Sequence, residues 1–352
     1  MNKRVLLGMS GGVDSSTSAV ILKEKGYEVV GATMRLWENG KEEPSSIKDA
    51  KKVCDELGIE YHVIDLRKEF KENVIDNFIC TYMCGKTPNP CVECNKFMKF
   101  GMFYKYAKEL DCDYIATGHY AKVEYSEKYG GYVLTKSNEE KKDQTYFLYG
   151  IDKEILSHII FPLSDFNNKE EIRDIAKKYN LEVAQKKESQ EVCFIPNNDY
   201  VNFLENNKDN FEKENKPGNI ILSNGEVLGK HSGIINYTVG QRKGLGISYK
   251  EPLYVLKLDK ENNNVIVGTE NELYTKTLKA NELNFLLDID LSKKIEVKAK
   301  IRYRAKEAKA ILEVKDNIAE VEFEEPQRAI TPGQSVVFYI DDNIVLGGGK
   351  II

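Results

Sequence analysis

An α/β fold is predicted: a parallel sheet wrapped by helices, then a small β-rich central domain and a C-terminal β-barrel. Three observations predict it. The first 120 residues alternate short apolar runs with helix-period stretches. A glycine–serine loop, Gly8 to Ser16, joins the first run to the first helical stretch. Beyond residue 218, helical periodicity gives way to short strand-like pieces separated by frequent turns. The domain boundaries read as 1–205, 206–270 and 271–352.

Taken in order, the strand-like runs of the first part are Val5–Met9, Glu28–Met34, Tyr61–Asp65 and Tyr114–Thr117. Between the first two, a helix over Ser15–Lys25 stops at Gly26, a natural left-handed cap. A second helix, Ser45–Leu57, follows Pro44 and stops at Gly58, with Ile47, Ala50, Val53, Cys54 and Leu57 on one face. Phe70, Val74, Phe78 and Ile79 mark a third helix, and Asn95–Leu110 a fourth. A hairpin is expected over 122–136 around Gly130-Gly131, and a helix from about Lys169 to Tyr179. Residues 205–218 have the Asn, Lys, Pro and Gly content of a loop. Strand-like pieces follow at Asn219–Leu222, Leu253–Leu258, Val265–Val267, Ile295–Tyr303, Ile318–Phe323 and Ser335–Ile340.

At 352 residues the chain is too long for one ordinary core. Hydrophobic residues at 41% and charged residues at 30% fit a globular protein, and no apolar run reaches the roughly 18–20 residues of a membrane span. Met1-Asn2-Lys3-Arg4 leads directly into a strand without a signal-peptide core, so a cytoplasmic location and no membrane partner are expected. A net charge of −5 does not by itself announce a nucleic-acid partner.

Two neighbouring glycines in Gly8-Met9-Ser10-Gly11-Gly12-Val13-Asp14-Ser15-Ser16 let the backbone turn tightly and approach a ligand. The serine hydroxyls and the free N–H groups of a helix N-terminus suit an anion. No Gly-Lys-Ser/Thr follows, so this is not a Walker A loop. The plain alternative is a Gly-Ser turn capping a helix. Ser-Gly-Gly-x-Asp-Ser resembles instead the PP-loop of the ATP pyrophosphatases, which split ATP between its α- and β-phosphates and place AMP on an oxygen.

All seven cysteines (54, 80, 84, 91, 94, 112 and 193) precede residue 200. An odd number at one end of the chain argues against a disulfide scaffold. Cys91-x-x-Cys94 follows Thr87-Pro88-Asn89-Pro90 at the mouth of a helix, a setting that lowers thiol pKa. Cys193 lies in a loop-like context about a hundred residues later. Three readings are open: a zinc site of Cys80, Cys84, Cys91 and Cys94; buried inert thiols, the default for Cys54 and Cys112; or a catalytic pair, Cys94 and Cys193.

The PP-loop is followed in order by Asn89-Pro90-x-x-x-Cys94-Asn95, Ala116-Thr117-Gly118-His119-Tyr120-Ala121 and Lys142-Asp143-Gln144-x-Tyr146-Phe147-Leu148. Ser189-Gln190-x-x-Cys193-Phe194 and Tyr237-Thr238-Val239-Gly240-Gln241-Arg242-Lys243-Gly244-Leu245-Gly246 complete the series. This series resembles the bacterial tRNA 2-thiouridylases (the MnmA or TrmU family). The resemblance implies ATP-dependent 2-thiolation of a wobble uridine, with tRNA (its anticodon stem-loop) as substrate, ATP and Mg²⁺ required, and a cysteine desulfurase or sulfur-relay protein as sulfur donor. It implies that Cys193 carries a persulfide and that Cys94 is the nucleophile that frees the sulfur, closing a Cys94–Cys193 disulfide. It places ATP on Gly8, Met9, Ser10, Gly11, Gly12, Val13, Asp14, Ser15, Met34 and Gly118. It places tRNA on Asn89, Pro90, Cys91, His119, Lys142, Asp143, Gln144, Arg302, Tyr303, Arg304 and Gln334.

The chain departs from the best-known members at Cys91, where they carry Asp. A thiol can move a proton, but its ordinary pKa is about 8.5 rather than about 4. Alternatively Cys91, Cys94 and Cys193 hold a [4Fe-4S] cluster with one open iron. Cys84, beside Gly85, has no place in the pattern. Lys298, Lys300, Arg302, Arg304 and Lys306 alternate with small or apolar residues, which on a strand puts five cations on one face for a phosphate backbone. Two other classes compete. PP-loop amide ligases such as NAD or GMP synthetases need neither thiol, and a non-catalytic RNA-binding module does not need the PP-loop.

Overall fold

The computed structural model describes residues 3–37, 44–181, 192–209 and 211–352. Ser189 and Gln190 of the fifth motif lie outside them. The N-terminal sheet contains β1 (Arg4–Gly8), β2 (Glu28–Arg35), β3 (Glu60–Asp65) and β4 (Tyr114–Ala116), all parallel. The chain then forms the hairpin β5 (Lys122–Ser126) and β6 (Gly131–Thr135), and β7 (Ile159–Ile160) completes the sheet in the order β3-β2-β1-β4-β7. Val5, Leu6 and Leu7 of β1 are all fully buried. Both faces of that strand are covered, which explains an unbroken apolar run where a half-exposed strand would alternate.

The covering helices are α1 (Val13–Glu24), α2 (Ser45–Leu57), α3 (67–83), α4 (90–109) and α5 (Lys169–Lys178). Ile47, Ala50, Val53 and Cys54 of α2 face the sheet, and the helix ends at Gly58 with φ +61°. Both α3 and α4 run on through π-helical turns, Lys71–Ile75 and Cys94–Met102. Half of the expected loop at 205–218 is helical instead. The helix α6 (Tyr200–Asn207) and a short turn, Phe211–Glu214, bury Phe203, Leu204 and Phe211 there, and that burial outweighs the local Asn and Lys content.

The central domain is a four-stranded sheet of β8 (Gly218–Leu222), β9 (Val227–His231), β10 (Tyr254–Asp259) and β11 (Asn264–Gly268), in the order β10-β11-β8-β9. The last domain contains β12 (Tyr274–Phe285), β13 (Ile295–Lys300), β14 (Ala308–Lys315), β15 (Ile318–Arg328), β16 (Ser335–Ile340) and β17 (Ile344–Ile351). It closes into a barrel because β12 pairs with both β15 and β17. Closure leaves β12 and β15 without free edges inside the barrel. The hairpin β5–β6 from the first domain extends this sheet, with Thr135 opposite Ile344.

The basic stripe does not form as expected. β13 ends at Lys300, and residues 301–304 form a bend and turn, so no single strand face carries all five cations. Lys298 is paired with Asp342 at 2.5 Å. Arg302 turns inward to the carbonyl of Ala329 and to Thr331 Oγ1, while Arg304 and Lys306 remain exposed.

Candidate active site

The order β2-β1-β4 places chain reversals on either side of β1, and ligands of open α/β sheets collect at that switch point, beyond the carboxyl ends of the strands. The glycine–serine loop leaves β1 there. Gly11 has φ +66°, and a Cβ on it would meet Ser46 O at 2.6 Å, so only glycine fits the turn. Gly12 is the N-cap of α1 and supplies no side-chain cap, so the first N–H groups of this twelve-residue helix stay available. Ser15 Oγ accepts from Ser10 N and lies 3.2 Å from Ser10 Oγ, gathering two hydroxyls beside them. From the other side, Gly118 follows β4. A Cβ there would lie 3.1 Å from Asp14 Cβ and 3.2 Å from Ser15 N, so glycine lets this loop approach the N-terminus of α1 closely.

A cleft of about 740 Å³ opens over this loop, within the size range of small-molecule sites. Gly8, Met9, Ser10, Asp14, Ser15, Met34 and Gly118 line it, and Gly11, Gly12 and Val13 build the turn beneath. Thr33, Ile47 and Trp37 supply further wall on the β2 side. Cys193, Lys99, His119 and Gln144 line the same cleft, so one space joins the anion-binding loop to a thiol.

Asp14 is fixed by two groups that sequence reasoning missed. Tyr120 donates its phenol to Asp14 Oδ1 at 3.0 Å, and Lys169, the first residue of α5, donates to the same oxygen at 2.5 Å. The Lys169 side chain is only 10% exposed. Asp14 and Lys169 lie 155 residues apart, so no local pattern could have announced the pair. Lys99 was also missed. Its Nζ lies 3.5 Å from His119 Nε2, and Thr117 Oγ1 lies 2.8 Å from Nδ1. Since an ammonium can only donate, Nε2 is the acceptor and Nδ1–H points to Thr117. Burial holds the His119 pKa well below its ordinary value, and Lys99 pushes it the same way, so the ring is neutral.

The thiols sit beside this arrangement. Pro90 opens α4, and the π-helical turn begins at Cys94, a distortion common at functional sites. Cys94 is buried, whereas Cys91 and Cys193 are exposed, Cys193 into the cleft. Phe194, packed edge-on against Phe70, Phe78 and Phe203, anchors Cys193. The Cys94 thiol lies within electrostatic reach of both Cys91 and Cys193. The expected lowering of thiol pKa is reversed. Burial pushes Cys94 up to about 12 and raises Cys91 and Cys193, while the Lys99 ammonium opposes the rise at all three. Desolvation of the thiolate outweighs the helix terminus here. Cys54 and Cys112 are buried thiols of the N-terminal domain, as expected, and Cys80 and Cys84 are exposed.

Among the described residues, no three His, Cys, Asp or Glu side chains are arranged to hold a metal ion. Cys80, Cys84, Cys91 and Cys94 therefore do not form the zinc site considered above, whereas Cys91, Cys94 and Cys193 stand within electrostatic reach of one another.

The residues expected to face RNA divide. His119 and Gln144 stand in the cleft, with Gln144 Oε1 accepting from Tyr120 N. Cys91 and Arg304 are exposed, and Lys142 is half-buried. Asp143 is buried and accepts from Thr145 Oγ1, with burial raising its pKa. Pro90 is buried, and Asn89 bonds the Tyr146 phenol. Tyr303 packs on Phe147 at 4.5 Å, and Gln334 donates to two backbone carbonyls, of Thr87 and Pro88.

Sheet order, uncapped loop and cleft together define a PP-loop nucleotide-binding enzyme. Residues 3–197 match the family described as tRNA methyl transferase HUP domain. Residues 208–269 match the one described as tRNA methyl transferase PRC-barrel domain, and 275–351 the one described as aminomethyltransferase beta-barrel domain. The tRNA-specific 2-thiouridylase MnmA of Acetivibrio thermocellus is 50% identical over 99% of both chains. That of Clostridioides difficile is 46% identical over 100% of this chain and 98% of its own. The chain belongs to the tRNA-specific 2-thiouridylase family. Among solved structures, the U34-tRNA thiolase NcsA from Methanococcus maripaludis, with its [4Fe-4S] cluster, is 23% identical with a TM-score of 0.35, covering 60% of this chain and 67% of its own.

Proposed function

We propose that this enzyme 2-thiolates the wobble uridine of tRNA at the expense of ATP, releasing AMP and pyrophosphate. The observation that carries the reading is the shared cleft: the anion-binding loop at the end of β1 and the thiol of Cys193 open onto one space. A uracil C2 oxygen leaves poorly, and adenylation makes it part of AMP, a good leaving group. The N–H groups and hydroxyls of Ser10 to Ser15 hold the phosphates of ATP, and Asp14, held by Tyr120 and Lys169, would place those phosphates or their Mg²⁺. Met34 and Gly118 border the adenosine.

Sulfur then arrives as the terminal atom of a persulfide on Cys193. That atom forms the bond to C2, and the C2–oxygen bond to AMP breaks. Cys94, once deprotonated, attacks Sγ of Cys193. The old sulfur–sulfur bond breaks, 2-thiouridine leaves, and a Cys94–Cys193 disulfide remains for a dithiol to reduce. Cys91 stands next to this pair as the group that exchanges a proton with the base. Among the described residues no helix is long and apolar enough to cross a membrane, which accords with a cytoplasmic enzyme charged by a cysteine desulfurase or sulfur-relay protein.

The test is nucleotide analysis with and without tRNA, together with mass spectrometry of tRNA nucleosides. AMP formation dependent on tRNA is expected, and release of ADP would overturn the reading. Cys94→Ser and Cys193→Ser should each abolish 2-thiouridine while leaving tRNA affinity within a few-fold. Full activity in either variant would remove the two-thiol scheme.

A further inference from the structure

The segment that carries Cys91 and Cys94 packs Val92 and Cys94 into the first domain's core and is also tied, residue by residue, to the C-terminal barrel. Gln334, just before β16, donates from its amide nitrogen to Thr87 O and to Pro88 O, each at 3.0 Å. In the turn just before it, Pro332 O accepts from Thr87 N at 2.9 Å. Between them Gly333 has φ +89°, and a Cβ on it would sit 2.8 Å from Thr87 O, so the barrel turn presses directly on this backbone. That turn is itself pinned to β17, because Gly333 N donates to Ile351 O and Ile351 N to Gln334 O.

Further along the segment, Asn89 bonds the Tyr146 phenol, which donates to Ser335 O at 3.0 Å. Between the two cysteines, Glu93 pairs with Lys350 of β17 at 3.3 Å, and Glu282 of β12 shares the ammonium at 2.7 Å. The Glu93 and Lys350 side chains are 13% and 19% exposed. Four successive anchor points, at Thr87, Pro88, Asn89 and Glu93, thus lead back to one rim of the barrel. Hydrogen bonds of this kind to half-buried carbonyls cost most when the donor is removed and the acceptor is left dry.

We propose that Gln334 and Lys350 are positioning residues: the barrel rim sets where the thiols of Cys91 and Cys94 stand relative to Cys193. This rests on the thiolation reading above, and it gives the amide N–H groups of Gln334 to the protein's own backbone. A displacement of about an ångström at a reacting group is enough to cost a hundredfold in rate, so such a brace matters even though it touches no reacting atom.

The experiment uses the full chain. Gln334→Ala removes both donors, Gln334→Glu keeps the shape without them, and Lys350→Met keeps the stem without the charge. In each, hydrogen–deuterium exchange of peptides covering 87–94 in the free protein should quicken at least tenfold. The kcat for 2-thiouridine should fall at least tenfold, with KM for tRNA within about twofold. Lys350→Met gives the answer if Gln334→Ala does not fold. Unchanged exchange with a tenfold rise in KM for tRNA would make Gln334 an RNA contact and overturn the proposal. Quicker exchange with unchanged kcat would overturn it as well. If the parent enzyme made no 2-thiouridine, the functional reading would fall, while exchange in the free protein would still report on the brace.

Discussion

Burial pushes the thiol of Cys94, the nucleophile of the proposed scheme, up to about 12. At pH 8 roughly one molecule in ten thousand then carries the thiolate, so the resting enzyme keeps this nucleophile protonated. Exposed Cys80 and Cys84 should therefore react with iodoacetamide first at pH 8, and Cys94 far more slowly. Its rate should rise about tenfold per pH unit toward pH 12, as expected when a raised pKa withholds the reactive form. Labelling of Cys94 as fast as Cys80 at pH 8, read by peptide mass spectrometry, would contradict this. Lys169 is the other decisive side chain. It neutralises Asp14 beside the anion-binding turn, and deleting one member of a largely buried pair strands its partner's charge. Lys169→Met should cost about 1–3 kcal/mol, toward the low side of buried pairs because Asp14 keeps 26% exposure. A urea melt measures that cost. ATP turnover should fall at least tenfold even where the protein remains folded, since Asp14 loses the partner that orients it.

At the scale of elements, the five alternating cations after Glu296 do not act as a unit. Arg302 is tied to Ala329 O and Thr331, and burial lowers its pKa, whereas Arg304 and Lys306 face water. Neutralising Arg304 and Lys306 should flatten the dependence of log tRNA affinity on log salt, by about one unit of slope for each phosphate left without its cation. Arg302→Ala should instead lower the melting temperature and leave the salt slope as it was. Equal slopes for both variants would refute this division. The strand was legible as far as Lys300 because period 2 reports which face a residue occupies. It says nothing of where a strand stops, and here a turn follows. The PP-loop was legible because its chemistry is contiguous and its strand and helix flank it. The site residues drawn from elsewhere, Lys169, Tyr120 and Lys99, were not, because each acts through a partner far along the chain or through a π-helical offset. In the last domain β12, β14 and β17 went unread: Lys, Asn and Gly on their exposed or crowded positions mask the alternation that burial of Leu278, Leu312 and Leu346 restores.

For the whole molecule, the junction between first and last domains is built from shared parts. The hairpin β5–β6 is an extension of the barrel sheet, and Thr145, Tyr146 and Tyr149 bond to Tyr339 and Ser335. A chain ending at residue 270 would leave those phenols and the inner edge of β6 without partners. Such a truncation should aggregate or lose cooperative unfolding, as size-exclusion chromatography and a thermal melt would reveal; a monodisperse, cooperatively melting fragment would refute the shared construction. The same pairing bears on how the protein is made. Thr135 leaves the ribosome long before its sheet partner Ile344 exists. At translation speeds of about 5–20 residues per second the hairpin waits on the order of 10–40 s. Until the final strand emerges, the nascent enzyme has a finished nucleotide loop but no rim against which to set its cysteines. On the proposed scheme, sulfur would therefore be committed only by a completed chain.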